Sequence, residues 1–225
     1  MTMDNERPKY LDIDFAKLDY LRQERTGQPE VIFCEGKTPE QVVAIFETMY
    51  QAGNNVLGTK VSEEIYRYVS KHIDNINYNS LGRTITLLHH NQELTKSYIA
   101  IVAAGTSDLP VVEEAYETAL FLGNRVEKIV DVGVAGIHRL FDQLEIIRKA
   151  KVVIVVAGME GALASVIGGL VSSPVIAVPT SVGYGTSLKG ITALLSMLNS
   201  CTTLSVVNID NGYGAACQAG KINKI

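Results

Sequence analysis

Five short segments of this 225-residue chain combine glycine with hydroxyl or ionisable side chains. They read AlaGlyThrSerAspLeuPro (104–110), GlyValAlaGlyIleHisArg (133–139), AlaGlyMetGluGlyAla (157–162), ThrSerValGlyTyrGly (180–185) and AspAsnGlyTyrGly (210–214). Glycine lets a ligand approach the backbone, and helix N-termini favour anionic groups. Gathered on one rim, the five segments describe a pocket for a phosphate-bearing ligand. None is specific by itself, and the dinucleotide fingerprint GxGxxG is absent. Taken singly, each has a plain alternative: Ser107 or Asp108 caps a helix, Glu160 sits in a first helical turn, His138 is structural and Arg139 is a surface charge. Taken together, an Asp, a His, an Arg and a Glu ending three consecutive strands favour a site. Cys201 follows a helix-like run that ends at Asn199-Ser200. Its residue type leaves two readings open, a small buried hydrophobe or a reactive thiol.

These segments need a frame that brings them to one edge. From residue 99 onward, continuous apolar runs (99–104, 126–132, 152–157, 175–179 and 204–209) alternate with helical patterns (110–123, 137–149, 160–172, 187–199 and one after 213). Uninterrupted β-branched runs between helices mark a parallel sheet covered on both faces. The right-handed crossover rule makes this a flavodoxin-like, doubly wound α/β domain of five strands. Ligands of such sheets bind beyond the carboxyl ends of the strands, where the glycine segments fall. Residues 1–95 predict a smaller α/β domain, with 96–225 as the catalytic one. Strands are expected at 30–34 and 84–88, and Thr38-Pro39-Glu40-Gln41 spells a helix start with a capping box. Cys34 is assigned to packing, and His89 and His90 to the surface between the domains.

Composition excludes several classes. A net charge of −4, with no long run of one sign, argues against nucleic-acid and electrostatic membrane binding. Three cysteines without paired spacing argue against a disulfide framework and for a reducing, cytoplasmic setting. The polar start, residues 1–8, has no apolar core of a signal peptide. No charge occurs between Gly161 and Leu188, but the glycines and prolines in that stretch divide it into a buried helix, a strand and a loop rather than a membrane span.

The paired segments AlaGlyThrSerAsp and GlyIleHisArg resemble the carboxyaminoimidazole ribonucleotide mutases of purine synthesis (PurE). The fuller set is similar to the LarB family: SerAspLeuPro, AspValGlyValAlaGlyIleHisArg, ValAlaGlyMetGluGlyAla, ValProThrSerValGlyTyrGly, MetLeuAsnSerCys, ValValAsnIleAspAsnGlyTyrGlyAla, and GluGlyLysThrProGluGln nearer the start. The likeness spans roughly residues 29–216. Ala164 stands where the pattern has proline, and ThrSerLeu (186–188) where it has a small residue and phenylalanine.

The resemblance implies a reaction on nicotinic acid adenine dinucleotide, with carbon dioxide or bicarbonate, that yields pyridinium-3,5-biscarboxylic acid mononucleotide and AMP for nickel-pincer cofactor synthesis. A pyridinium carbon is too electron-poor to attack carbon dioxide. A thiolate added para to nitrogen turns the ring into a dihydropyridine whose meta carbon is nucleophilic. By this resemblance Cys201 is the nucleophile, Glu160 the general base, and Asp108 and His138 handle the carboxylate or its proton. Substrate contacts fall to Thr106, Ser107, Gly133, Arg139, Gly158, Met159, Gly161, Ser181, Gly183, Tyr184 and Gly185. Asp210 is a candidate contact for a magnesium ion assisting at the phosphoanhydride, and Cys217 is the reserve nucleophile. A homo-octamer is implied as well. Two rivals stay open: a purine-type mutase, with no use for Cys201 or the small domain, and a nucleotide-binding module without catalysis.

Overall fold

The structure, a computed structural model, describes residues 10–225, so the polar start at residues 1–8 lies outside the described residues. The chain divides into two compact units, one running to Tyr78 together with Thr84–Asn91, the other comprising Asn79–Arg83 and Gln92–Ile225.

In the first unit, β1 (Leu11–Asp12) and β2 (Lys17–Leu18) form a short antiparallel ribbon, followed by α1 (Arg22–Thr26). A four-stranded sheet then combines β3 (Val31–Phe33), β4 (Val56–Thr59), β5 (Asn77–Asn79) and β6 (Thr84–Leu87) in the order β3-β4-β6-β5. Two helices, α2 (Pro39–Gln51) and α3 (Glu63–Val69), complete it. The capping box of α2 forms as the spacing predicts: the Gln41 amide donates to Thr38 Oγ1 at 3.3 Å, and the Thr38 amide donates to Gln41 Oε1 at 3.0 Å. The same helix buries Val42, Val43, Ile45, Phe46 and Met49, each large side chain contributing about 1.5–3 kcal/mol through burial. Cys34 is fully buried among them, and burial pushes its thiol up to about 12, so it stays protonated and inert. Strand β4 has no counterpart in the sequence reading, because ValLeuGlyThr is four residues long and broken by Gly58. That glycine is required by packing: a Cβ there would meet Cys34 Sγ at 2.9 Å and Ile85 Cγ1 at 3.0 Å. His89 and His90 are held within this unit, both amides donating to Asn55 Oδ1 at 2.7 and 2.9 Å.

The second unit carries the five-stranded sheet: β7 (Tyr98–Ala103), β8 (Arg125–Ile129), β9 (Val152–Ala157), β10 (Val175–Pro179) and β11 (Ser205–Val206). Every adjacent pair is parallel, in the order β11-β10-β9-β7-β8, which is the flavodoxin-like 2-1-3-4-5 arrangement. All six residues of β9 are buried because both sheet faces are covered. On one face pack α4 (Leu109–Phe121) and α9 (Gly212–Asn223). On the other pack α5 (Ile137–Asp142), α6 (Leu144–Lys149), α7 (Ala162–Gly168) and α8 (Ile191–Leu198).

Three expected elements differ in detail. The helix predicted over 137–149 breaks at Gln143, whose amide closes a tight turn on the Leu140 carbonyl. The helix predicted from 187 begins at Ile191, because Leu188 and Lys189 take left-handed conformations, φ 47° and 54°. The run 204–209 pairs as a strand only at Ser205–Val206. Within the charge-free stretch lie α7, β10 and a loop, and among the described residues no helix is long and apolar enough to cross a membrane.

Candidate active site

Because the strands are parallel, the segments leaving β7, β8, β9 and β10 emerge at one edge of the sheet. They enclose a cavity of about 290 Å³. Six predicted site residues line it: Ser107, Asp108, Gly133, Gly158, Met159 and Glu160. Ala162, Leu163 and Val182 add apolar wall.

Asp108 is the best-defined group. Only 3% of it is exposed. Its carboxylate does not cap α4, which begins at Leu109 without a side-chain cap. It folds back instead, accepting the Gly105 amide on Oδ2 at 3.1 Å and the Thr180 hydroxyl on Oδ1 at 2.7 Å. Burial pushes its carboxyl above the usual carboxylate range. The Thr180 hydroxyl and the Gly105 and Gly158 amides oppose that shift, while the negative charge of Asp210 adds to it. Thr180, fully buried, opens the segment 180–185 but is not among the expected substrate contacts. The only signal was its position, a hydroxyl one residue past the end of a buried strand.

Gly158 lets these segments meet. A Cβ there would lie 2.5 Å from the Val182 carbonyl oxygen and 2.7 Å from Thr180 Oγ1. The next residue, Met159, takes φ 53° and donates its amide to the same Val182 carbonyl at 2.8 Å. A left-handed methionine is strained, and strain of this kind clusters at functional sites. Glu160 follows in the turn ahead of α7, whose N-cap is Gly161 with φ 70°. The expectation of Glu160 in the first helical turn is therefore corrected: the left-handed Gly161 starts the helix two residues later. Glu160 is exposed and lines the cavity from this turn rather than from the helix itself.

Other predicted residues lie apart from the cavity lining. Arg139 pairs with Asp131 at 2.7 Å on a separate open depression next to β8. His138 is exposed with no hydrogen-bond partner among the described residues. Thr106 forms the short turn ahead of α4. Asp210 Oδ1 accepts the Ser181 amide at 2.8 Å, which fixes the start of the segment after β10. Further along it, Gly183, with φ 147°, leaves room for Ser187 Oγ, and Gly185 has φ 54°. Tyr184 is 82% exposed. Cys217, half-buried, lies in α9.

Cys201 is exposed and does not line the cavity. It follows α8, which runs from the cavity edge toward the start of β11. Ser200 Oγ lies 2.8 Å from Ser165 Oγ of α7. The first residues of α7, Ala162 and Leu163, line the cavity, while Gly161 abuts Ala193 and Met197 of α8. Ser200, the residue before Cys201, thus packs on the middle of α7, the helix whose first residues line the cavity.

A resident divalent cation does not fit the donors present. No group of three or more His, Cys, Asp or Glu side chains that could hold a metal occurs among the described residues. Both Asp108 oxygens accept hydrogen bonds, and Asp210 Oδ1 serves Ser181.

Comparison with known proteins bears on both units. Residues 10–90 match the LarB/PurE-like N-terminal domain, and residues 98–225 match AIR carboxylase. The uncharacterized protein MJ0165 of Methanocaldococcus jannaschii is 44% identical over 219 residues, covering 93% of this chain and 84% of the relative. N5-carboxyaminoimidazole ribonucleotide mutase of the same organism is 36% identical over 129 residues, covering 55% of this chain and 77% of the mutase. Among solved structures, PurE of Treponema denticola aligns with a TM-score of 0.42 at 18% identity, over 56% of this chain and 88% of that one. With both of its parts matched in this order, the chain belongs to the LarB family, a LarB/PurE-like N-terminal domain followed by a PurE-like domain.

Proposed function

We propose that this protein carboxylates the pyridinium ring of nicotinic acid adenine dinucleotide and hydrolyses its phosphoanhydride, releasing AMP and the dicarboxylated mononucleotide. The observation that carries the reading is a LarB-type N-terminal domain in the same chain as an exposed cysteine, Cys201. A purine-type mutase has no role for either.

The Cys201 thiolate adds to the ring carbon para to nitrogen, and the ring electrons move onto nitrogen and quench its charge. The free meta carbon then attacks carbon dioxide, forming the new C–C bond and leaving a proton on that carbon. Glu160, exposed on the cavity wall, takes this proton. The C–S bond breaks, the thiolate leaves, and aromaticity returns. Asp108 suits the incoming carboxylate: burial pushes its carboxyl upward and so favours the protonated form, which donates a hydrogen bond to an anion that the ionised form would repel. The apolar wall of Ala162, Leu163 and Val182 limits water around the adduct.

Magnesium enters this reading as a companion of the dinucleotide phosphates, since Mg²⁺ is commonly held by substrate phosphates and water with few protein ligands. No step above depends on it. The proposed assembly is a homo-octamer, which light scattering at the monomer mass would refute.

The test is an assay with nicotinic acid adenine dinucleotide, bicarbonate and magnesium, following AMP and the dicarboxylated product, for the wild type and Cys201→Ala. Product from the wild type alone supports the proposal. Turnover of carboxyaminoimidazole ribonucleotide, unaffected by Cys201→Ala, identifies a mutase. Binding without turnover of either substrate identifies a nucleotide-binding module.

A further inference from the structure

Cys201 is exposed, so contacts of its own side chain do little to aim it. Yet a sulfur that adds to one carbon of a flat ring needs a set position, since a displacement of about 1 Å can cost about 10²-fold in rate. Its neighbours, Ser200 and Thr202, are half-buried hydroxyl residues. Ser200 Oγ accepts the Thr202 amide at 3.1 Å and lies 2.9 Å from Thr202 Oγ1. A serine oxygen that takes the amide two residues on makes a local turn, here one with Cys201 at its middle. The same oxygen lies 2.8 Å from Ser165 Oγ of α7. A hydroxyl carries one hydrogen and two lone pairs, so Ser200 meets all three contacts with nothing left over.

Helix α7 is shaped for this arrangement. Gly168 lies on the same face as Ser165, one turn further along. A Cβ there would stand 2.6 Å from Thr202 Oγ1, 3.1 Å from Thr202 Cβ and 3.0 Å from Leu204 Cδ2. Any larger residue at 168 would therefore push Thr202 off the helix. Charge is kept out of the segment as well: from Gly190 to Ile209, Cys201 is the only ionisable side chain. Hydroxyls hold the segment without adding along it an ammonium or guanidinium that would compete with a pyridinium for the thiolate.

We infer that Ser200, linked to Ser165 and Thr202, positions the nucleophile: the three hydroxyls clamp the backbone on both sides of Cys201 to α7 and so set the direction from which sulfur meets the ring. The inference rests on the proposed role of Cys201. It explains why hydroxyl residues flank the thiol on both sides, and why α7 carries a glycine opposite Thr202. The three act through Cys201 and are positioning residues, not catalytic groups.

Two experiments test it, one with a readout independent of activity. In the first, Cys217→Ser protein, whose Cys34 is buried, takes a methanethiosulfonate nitroxide on Cys201 alone. Its electron paramagnetic resonance spectrum should be broad, as for a label on a held backbone, and should sharpen when Ser200→Ala is added, with the far-ultraviolet circular dichroism unchanged. Thr202→Val, which keeps the side-chain shape and loses one hydroxyl, should sharpen it too and replaces Ser200→Ala if that variant does not fold. A spectrum already sharp in the parent, or unmoved by the substitution, overturns the inference whatever reaction the protein performs. In the second, turnover of the dinucleotide is measured without the label. Ser200→Ala should lower kcat about 10²-fold and leave KM within about twofold, the pattern of a misaimed nucleophile rather than of weakened binding. Ser165→Ala and Thr202→Val each cut one link and should cost less, while their double variant approaches Ser200→Ala. An unchanged kcat overturns the inference, and so does a raised KM at wild-type kcat, which would assign the hydroxyls to ligand binding. If the wild type shows no turnover, the proposed reaction fails, and the spectrum alone decides whether the hydroxyls hold Cys201.

Discussion

Replacing Thr180 by valine exchanges the hydroxyl that donates to the buried Asp108 carboxyl for a methyl group. The hydroxyl donates to Asp108 Oδ1 at 2.7 Å, both residues are buried, and valine keeps the shape. Removing the donor leaves a buried carboxyl oxygen unpartnered. With Asp108 protonated, the loss is that of a neutral hydrogen bond, about 1 kcal/mol; with Asp108 ionised it rises to about 2–3 kcal/mol. The sign follows from linkage. Burial already raises the folded-state pKa of Asp108, so the native state loses stability as pH rises through the interval between the unfolded and folded values. Thr180 lowers that pKa, so Thr180→Val raises it further and extends the loss to higher pH. The cost of the substitution therefore grows with pH. Hydrogen exchange of the β10 amides measures it without requiring both units to unfold in one step. Relative to the wild type at the same pH, exchange should accelerate about fivefold in acid and about 30- to 160-fold above the folded-state pKa of the variant. A carbon-13 titration of the Asp108 carboxyl should show its midpoint moving up. An acceleration independent of pH, or an unmoved midpoint, would mean that the hydroxyl does not serve the carboxylate.

Further outcomes follow from the same geometry. Gly158→Ala forces a methyl group onto the Val182 carbonyl and Thr180, at a cost of about 1–3 kcal/mol or more, read as a melting temperature lower by roughly 2–12 °C. Cys201→Ala removes an exposed side chain, so it should change the melting temperature by no more than about 2 °C while abolishing the dicarboxylated product. Glu160→Gln should lower turnover about 10²- to 10⁴-fold with unchanged circular dichroism; turnover within threefold of the wild type would remove Glu160 from the mechanism. In the first unit, Thr38→Ala breaks the capping box and should cost about 1 kcal/mol, measurable by urea unfolding.

The strands were legible where burial on both faces writes an uninterrupted apolar run, as in ValValIleValValAla of β9. The start of α2 was legible because capping is local chemistry between Thr38, Pro39 and Gln41. The short strand β4 was not, since four residues containing a glycine carry no period. At the site, the glycine segments marked the right edge of the sheet because strand direction fixes it. Thr180 was missed because its meaning lies in a partner 72 residues away, which no local pattern records. Cys201 stood out by residue type and motif, but its position depends on how α7 and α8 pack at Gly161. Arg139 was expected at the ligand, yet its charge is met by Asp131, a neighbour that folding alone brings within 2.7 Å.

The most direct test of the proposed chemistry is to incubate the protein with nicotinic acid adenine dinucleotide in the absence of bicarbonate and to weigh and fragment the undenatured complex by mass spectrometry, mapping a sulfur–ring adduct before it reverses. A pyridine-derived mass is expected on the peptide containing Cys201, absent from Cys201→Ala and diminished when bicarbonate is supplied. An unmodified Cys201 peptide from protein that nevertheless forms the dicarboxylated product would contradict it.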